Sequence, residues 1–167
     1  MTGFVDGEGC FSIGFIKQPD KQEKNRIRRG YKMGYQIFYE FAVTQSKSSI
    51  ESLQVLKDFF GIGKIYLNKR YDNHKEHLCR YVVRKRKYLL DVIIPFFKKY
   101  PLRTTKQKDF EKFASCLSLI QQNEHLKLDG MIRIVKIVST MNRRKPRESL
   151  IRILRDYTPN PAKAGMI

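Results

Sequence analysis

This sequence has no long apolar runs and no paired cysteines, and its acidic residues are few beside its basic ones. No stretch approaches the roughly 18 consecutive apolar residues that a membrane-spanning helix needs, and no signal peptide is visible. The three cysteines, Cys10, Cys79 and Cys116, are an odd number without paired spacing. This pattern argues against a disulfide framework and predicts reduced, buried thiols in an intracellular protein.

The shortage of acids leaves the chain strongly basic. Against 16 Asp and Glu stand 34 Lys and Arg, which gives a formal net charge of +18. A folded domain with this charge repels itself unless a polyanion is near, so nucleic acid is the first partner to consider. An anionic membrane or a ribosome-like RNA surface would explain the charge alone. The 167 residues, 41% of them hydrophobic, fit one folded domain with its own core.

The most informative stretch is Gly3-Phe4-Val5-Asp6-Gly7-Glu8-Gly9. It predicts an apolar helix that ends in glycines and delivers an acidic pair into a strand. Gly7 and Gly9 are expected to adopt backbone angles that other residues reach only at a cost. Glu8 would project from the carbonyl end of the helix, which is already negative, and such a place favours a divalent cation. On spacing alone, an ordinary corner with a solvated acid explains the stretch at least as well.

Residue patterns downstream predict four strands and several helices. The expected strands are 9–17, 35–45, 63–70 and 77–84, with a long polar connection at 18–34 that extends as a hairpin tip. The expected helices are 50–60, ended by Gly61, then 85–100 with a break or kink at Pro95, 106–122 and 126–142. This order predicts an α+β domain with one antiparallel four-stranded sheet backed by helices. A basic linker, a short helix at 147–156 and a loose tail are expected within 143–167.

The sheet face away from the helices is the predicted nucleic-acid surface. A two-stranded ribbon can enter the major groove, where Arg suits guanine and Gln or Asn suits adenine. The predicted DNA-binding residues are Ser12, Gly14, Gln18, Arg26, Arg28, Arg29, Gln36, Phe38, Glu40, Ala42, Lys47, Lys64, Tyr66, Asn68, Arg70, Arg80, Val82 and Arg84. For any single residue, an ordinary solvated position is a competing explanation.

The stretch from Gly3 to Gly9, followed by a strand, resembles the end of the LAGLIDADG motif of homing endonucleases. Met1 and Thr2 depart from the usual Leu-Ala of that motif. The resemblance extends over roughly residues 1–142, which we take as the endonuclease core. It implies the fold of that family, α-β-β-α-β-β-α with a four-stranded DNA-binding sheet, followed by C-terminal helices.

The resemblance implies catalytic roles for Glu8, Gln45 and Lys106. Glu8 and the carbonyl group of Gly7 would hold the metal ion, and Gln45 would organise the water or metal site. Lys106, in a segment similar to the one that brings a basic residue beside the scissile phosphates, would steady developing negative charge. The expected cofactor is Mg²⁺, with Mn²⁺ able to substitute and Ca²⁺ supporting binding without cleavage.

The resemblance also implies a homodimer, because one motif supplies one acid and two strands must be cut. The expected interface is formed by Gly3, Phe4, Asp6 and Gly7, with Asp6 capping or bonding the partner's helix end. The implied product is a double-strand break with 3′ overhangs at a long near-palindromic target.

Three alternatives stay open. The chain could be an intron maturase or DNA-binding regulator on the same fold, an unrelated RNA- or ribosome-associated protein, or half of a longer two-motif protein. The retained Glu8 favours the nuclease over the first of these.

The expected partners are double-stranded DNA, a second copy of the chain and, for a maturase, intron RNA, without a membrane. The expected location is bacterial or archaeal cytoplasm, or an organelle if the gene is organellar.

Overall fold

The structure is a computed structural model, and it describes residues 1–18, 20–31, 33–69, 76–142, 151, 152 and 155. Arg70 and the predicted tail lie outside the described residues, as do the predicted linker and most of the predicted short helix at 147–156. The chain divides into two compact units. One unit contains Met1–Ser12 and Tyr39–Ala114, and the other contains Ile13–Phe38 and the described residues from Ser115 onward.

The strands confirm the predicted four-stranded antiparallel sheet and add a small hairpin. In chain order they are β1 (Gly9–Lys17), β2 (Lys21–Glu23), β3 (Arg26–Arg28), β4 (Tyr35–Ser46), β5 (Lys64–Asn68) and β6 (Leu78–Val83). The main sheet has the order β1-β4-β6-β5, and β2 pairs with β3 in a separate two-stranded sheet. The predicted polar connection at 18–34 therefore contains an antiparallel hairpin, in which Gln22 pairs with Ile27.

The helices begin and end close to the predicted residues. They are α1 (Thr2–Glu8), α2 (Ile50–Phe60), α3 (Arg86–Tyr88), α4 (Ile94–Lys99), α5 (Lys106–Gln121) and α6 (Leu128–Ser139). Gly61 ends α2 with a φ of 65°, in the left-handed region that favours glycine. None of the described helices combines the length and the apolar character that crossing a membrane requires.

Pro95 does not break the helical path, contrary to the sequence-based expectation. A π-helical segment, Leu89–Ile93, joins α3 to α4, and Pro95 occupies the first turn of α4. Proline lacks an N–H and crowds the carbonyl group four residues earlier, and the widened π turn relieves this crowding. Leu89, Ile93 and Phe97 consequently stay buried along one continuous face.

Phe11 is the centre of the core of the first unit. Its ring stacks on Phe41 of β4 at 5.1 Å between centroids, and contacts Phe97 of α4 at 5.5 Å. Phe110 and Phe113 of α5 complete the cluster at 5.2 and 5.5 Å. Aromatic pairs at these separations add stabilisation beyond the burial of their area. The residue three positions after Glu8 is thereby fixed against a strand and two helices.

The second unit has its own apolar cluster. Met33, Met131 and Val135 are buried at its centre, so that the end of the polar connection packs on α6. The partly buried residues around them are Phe15, Tyr35, Ile37, Leu128, Ile132 and Ile151.

The turn from α2 into β5 needs glycine for two different reasons. Gly61 and Gly63 both have positive φ, 65° and 84°. A Cβ at Gly61 would meet no heavy atom within 4 Å, whereas one at Gly63 would lie 2.6 Å from the ring of Tyr81. The Tyr81 hydroxyl in turn donates a hydrogen bond of 2.9 Å to the carbonyl oxygen of Ile62.

We expect Gly63→Ala to destabilise the chain more than Gly61→Ala. Both substitutions force alanine into the left-handed region, at about 1–2 kcal/mol. Only Gly63→Ala adds overlap with the Tyr81 ring, at about 1–3 kcal/mol more. The free energies of unfolding in urea measure the difference, and equal losses in the two variants would contradict the packing argument.

Candidate active site and nucleic-acid interface

Helix α1 ends at Glu8 and runs directly into β1 at Gly9. The N–H of Gly9 donates to the carbonyl oxygen of Val5, whose side chain is buried. The φ of Gly9 is −76°, an ordinary extended angle. A Cβ at Gly9 would, however, lie 2.5 Å from Val5 Cγ1. Glycine is therefore required at position 9 by lack of space and not by an unusual backbone angle. Gly7 lies within α1 and has no positive φ. Both findings correct the expectation that these glycines adopt backbone angles costly to other residues.

Lys106 lies against the carbonyl end of α1. Its Nζ donates hydrogen bonds to the carbonyl oxygens of Val5, at 2.9 Å, and Gly7, at 3.1 Å. A cation is favourable at this end of a helix, where carbonyl groups lack partners in the helix itself. Residues 99 positions apart in sequence are thus brought together. The exposed Glu8 carboxylate follows immediately after Gly7.

The electrostatics of this corner are shared among several side chains. Desolvation is the largest influence on Lys106 and lowers its pKa, while the negative charges of Asp6, Glu8 and Asp109 and the Cys10 thiol act in the opposite direction. Desolvation likewise raises the pKa of Cys10, against the charges of nearby basic groups. The charge of Glu8 therefore contributes to the electrostatic surroundings of Lys106.

Asp6 binds the segment that precedes α5. Its carboxylate accepts hydrogen bonds from the N–H of Arg103, at 2.6 Å, and from the N–H and hydroxyl of Thr104, at 3.2 and 2.7 Å. Desolvation alone would raise the pKa of Asp6, but these bonds and the charge of Lys106 together hold it below its ordinary value. The Asp6 carboxylate therefore supports the chain's own fold, and its place at a partner's helix end stays a prediction.

Gln45, the third predicted catalytic residue, lies near the end of β4 and is half-buried. It pairs with Cys79 of β6 in the register of the sheet. Its proximity to Glu8 and Lys106 stays a prediction.

Three of the predicted DNA contacts are buried. Glu40 is 3% exposed, Ala42 1% and Val82 4%. Glu40 accepts hydrogen bonds from Arg80 Nη2 and, at 2.9 Å, from Arg84 Nε. The expectation that these three side chains face solvent is therefore wrong, because the sequence pattern could not reveal that arginines fold back over the strand.

The other predicted contacts that the structure describes in the first unit reach the surface. Lys47, Lys64 and Asn68 are exposed. Tyr66 is 47% exposed, and the Arg84 guanidinium lies 5.9 Å from its ring centroid. Ser12 is half-buried on β1. These positions offer both phosphate-binding charges and polar groups suited to base edges.

In the second unit, the predicted contacts lie on β1, β4 and the hairpin. Gln18 Nε2 donates to Gln36 Oε1 at 3.5 Å. Gly14 lies beside Phe38, whose ring carbon would be 3.8 Å from a Cβ there. Exposed basic residues of the hairpin and its end are Arg26, Arg28 and Arg29, and Arg26 forms an ion pair with Glu23 at 2.9 Å.

The donors at the end of α1 suit a hard divalent cation. The Glu8 carboxylate and the Gly7 carbonyl group offer oxygen atoms, the ligands that Mg²⁺ takes in proteins. Among the side chains that the structure describes, no group of three His, Cys, Asp or Glu is placed to hold a metal ion. The donors of one chain therefore fit part of a site, to be completed by oxygens from elsewhere.

Comparison with known proteins decides the family. The sequence model described as LAGLIDADG endonuclease matches residues 1–117, well over half of the chain. The chain belongs to the LAGLIDADG endonuclease family. The resemblance predicted from Gly3–Gly9 is thereby confirmed.

Solved structures support this membership across most of the chain. The LAGLIDADG chain superposes on the homing endonuclease I-TnaI with a TM-score of 0.71 and 36% identity, over 93% of both chains. It superposes on I-SmaMI, bound to uncleaved target DNA in the presence of calcium ions, with a TM-score of 0.74 and 32% identity. That match covers 96% of this chain and 49% of the I-SmaMI chain.

Curated relatives of this LAGLIDADG chain are encoded in introns. An uncharacterised 50.9 kDa protein in ND4 intron 1 of Podospora anserina is 34% identical over 128 residues. The alignment covers 75% of this chain and 25% of the relative. Other relatives, in Neurospora crassa, are named probable intron-encoded endonucleases. The chain spans about a quarter of the length of these relatives.

We expect Asp6→Asn to cost about 1–2 kcal/mol at pH 7, because it removes a charged acceptor of three hydrogen bonds. The folded-state pKa of Asp6 is lowered. Its stabilising contribution is therefore complete above the unfolded-state pKa, about 3.9, and is lost as pH falls through the folded-state value. Urea unfolding from pH 7 to pH 3 should give a gap between wild type and variant that narrows below about pH 4. Asp58→Asn, on the exposed side of α2, is the control, and a gap that stays constant to pH 3 would contradict this account.

Proposed function

We propose that this chain is a homing endonuclease that cuts both strands of a long, near-palindromic DNA target with Glu8 as the essential acid. The observation that carries the proposal is the exposed Glu8 carboxylate at the carbonyl end of α1, where the Lys106 ammonium binds the adjacent Gly7 carbonyl oxygen at 3.1 Å. Family membership supplies the type of reaction. This pair supplies the chemistry that hydrolysis of a phosphodiester needs, an anionic oxygen donor and a cation close together.

Each residue at the site has a distinct role in this proposal. Glu8 and the Gly7 carbonyl group hold Mg²⁺, which when bound activates water and stabilises negative charge on the phosphate. Mn²⁺ substitutes, and Ca²⁺ supports binding without cleavage. Lys106 donates to a phosphate oxygen or to the attacking water as negative charge develops. Gln45 orients the water.

The second half of the site comes from a second motif helix. Gly3 and Gly7 are four residues apart on the exposed side of α1, and a Cβ at either would meet no heavy atom within 4 Å. Two such helices can approach closely along small residues. We propose a homodimer with Gly3, Phe4 and Gly7 at its interface, so that two Glu8 carboxylates meet near the twofold axis. The 49% coverage of I-SmaMI supports the alternative that a second motif lies on the same polypeptide.

The DNA contacts are proposed from residues of each unit that reach the surface and from Arg70, which lies outside the described residues. Phosphate contacts come mainly from Lys47, Lys64 and the basic hairpin residues Arg26, Arg28 and Arg29. The proposed base contacts are Ser12, Gly14, Gln18, Gln36, Phe38, Tyr66, Asn68, Arg70, Arg80 and Arg84. Cleavage across the minor groove leaves 3′ overhangs. The intron-encoded relatives support an organellar or cytoplasmic location.

A cleavage selection tests the proposal. Wild-type, Glu8→Gln and Glu51→Gln proteins are incubated with a library of near-palindromic DNA in Mg²⁺ and in Ca²⁺, and the cut ends are sequenced. We expect recurrent cuts with 3′ overhangs in Mg²⁺ alone, lost in Glu8→Gln and kept in Glu51→Gln. Glu51 is an exposed acid of α2, so its substitution makes the same charge change away from the site. Specific retention of DNA without cuts by wild type would favour a regulator, or a maturase to be tested with intron RNA.

Lys106→Met should slow cleavage about a hundredfold and change DNA affinity far less, because its charge acts on the developing phosphate charge. The measurements are single-turnover rates in Mg²⁺ and dissociation constants in Ca²⁺. Lys108→Met, at an exposed position two residues further along α5, is the control. Because Lys106 also binds two carbonyl groups of α1, the melting temperature is measured in parallel. An unchanged cleavage rate in a folded variant would remove Lys106 from the mechanism.

A further inference from the structure

The described residues include one buried charged side chain, Glu40, and it lies on the sheet face that meets DNA in the proposed function. We propose that Glu40 is a positioning residue that holds Arg80 and Arg84 for reading guanine and weakens their attraction to DNA of any sequence. The inference rests on the proposed function for its ligand, duplex DNA, and adds how the protein separates specific from non-specific binding.

One carboxylate is shared by two guanidinium groups. Arg80 binds Glu40 Oε1 through Nη2, and Arg84 binds Oε2 through Nε at 2.9 Å. The side chains of Arg80 and Arg84 are 34% and 51% exposed, whereas Glu40 is 3% exposed. The carboxylate is thus beneath the arginines, and the arginines face solvent. A carboxylate in this place cannot itself reach a base edge.

The register of the sheet explains the burial. Arg80 pairs with Thr44, and Val82 pairs with Ala42, between Arg80 and the position of Glu40 along β4. Because Arg80 nonetheless reaches Glu40, its side chain must run along the strand over the Ala42–Val82 pair. This accounts for the burial of both apolar side chains on a face that otherwise carries polar groups. The arginine stem is therefore packed as well as paired.

Fixing an arginine in advance favours its use as a base reader. A free arginine side chain loses rotamer freedom when it binds, and a fork held in one direction loses less. Arginine recognises guanine through two hydrogen bonds to O6 and N7 in the major groove. The bond from Arg84 to Glu40 uses Nε, so it does not use the two terminal nitrogens that form such a fork. Guanine is accordingly the base class that this cluster should select.

The Glu40 carboxylate also weakens non-specific binding to DNA. Two arginines and one glutamate carry a net charge of +1 instead of +2, which lowers attraction to phosphates in general. The chain as a whole carries +18, so binding to any duplex is already strong without these arginines. A buried acid under the reading groups therefore improves discrimination more than it reduces useful affinity.

Glu40→Gln, Glu40→Asp and the control Glu51→Gln test the proposal in the full chain. Binding is measured in Ca²⁺, by competition between the selected target, versions with individual G·C pairs replaced, and a random duplex at several salt concentrations. Glu40→Gln should bind the random duplex more tightly, with a salt slope steeper by up to about 0.9 for each added phosphate contact. Its preference for guanine at one or two positions should fall about tenfold. Glu51→Gln makes the same change in net charge and should keep that preference.

Glu40→Asp separates charge from position and keeps a carboxylate if Glu40→Gln fails to fold. It should bind the random duplex with wild-type affinity and salt slope, but with reduced guanine preference, because the shorter side chain cannot reach both arginines. Wild-type guanine preference in both Glu40 variants, even with reduced thermal stability, would make Glu40 merely structural and overturn the inference alone. Absence of any sequence preference in the wild type would overturn the proposed function and this inference together.

Discussion

Two opposite charges that cross between α1 and the start of α5 set the geometry on which the candidate active site depends. Asp6 of the short helix accepts the N–H groups before α5, and Lys106 of α5 donates to the carbonyl groups at the end of α1. Each charge lies against the end of the other helix that favours it: Asp6 at the start of α5, and Lys106 at the carbonyl end of α1. A helix of seven residues with one buried side chain is too short to be stable alone, so these contacts determine where Glu8 points.

Packing on the other side of Glu8 completes this constraint. Gly9 gives β1 the space to leave α1 against Val5, and Phe11 then enters the aromatic core of the first unit. Glu8 therefore lies between the charged contacts of α1, which precede it, and the aromatic packing of Phe11, which follows it. Its own side chain is exposed. Catalytic groups need such support, because small displacements of the reacting atoms reduce rates steeply. In the proposed function, these contacts on both sides of Glu8 position its exposed carboxylate.

The sequence predicted best what depends on neighbours along the chain. Alternation in β4 and the glycine after α2 gave the sheet and the helix end, because local periodicity and left-handed geometry leave direct signals. Contacts between residues that are distant in sequence left no such signal. The bonds of Asp6 to Thr104, and the packing of the arginines over Ala42 and Val82, depend on the tertiary register. The same holds for Pro95, where a π turn absorbed a residue that local rules treat as a break. The catalytic role of Lys106 was assigned from a family resemblance, which carries long-range information that local patterns lack, and it stays a prediction.

The shared carboxylate of Glu40 has a consequence for redesigning DNA preference. Positions such as Lys64 and Asn68 are exposed on the edge strand β5, and their codons can be varied one at a time. Arg80 and Arg84 cannot be varied one at a time, because replacing either arginine leaves the other with a carboxylate that binds two partners. The effects of substitutions within such a network are not additive. A library that randomises the three codons together would sample working combinations that stepwise selection passes over. Substitutions at Glu40, Arg80 and Arg84 should therefore be epistatic, so that the three residues evolve together.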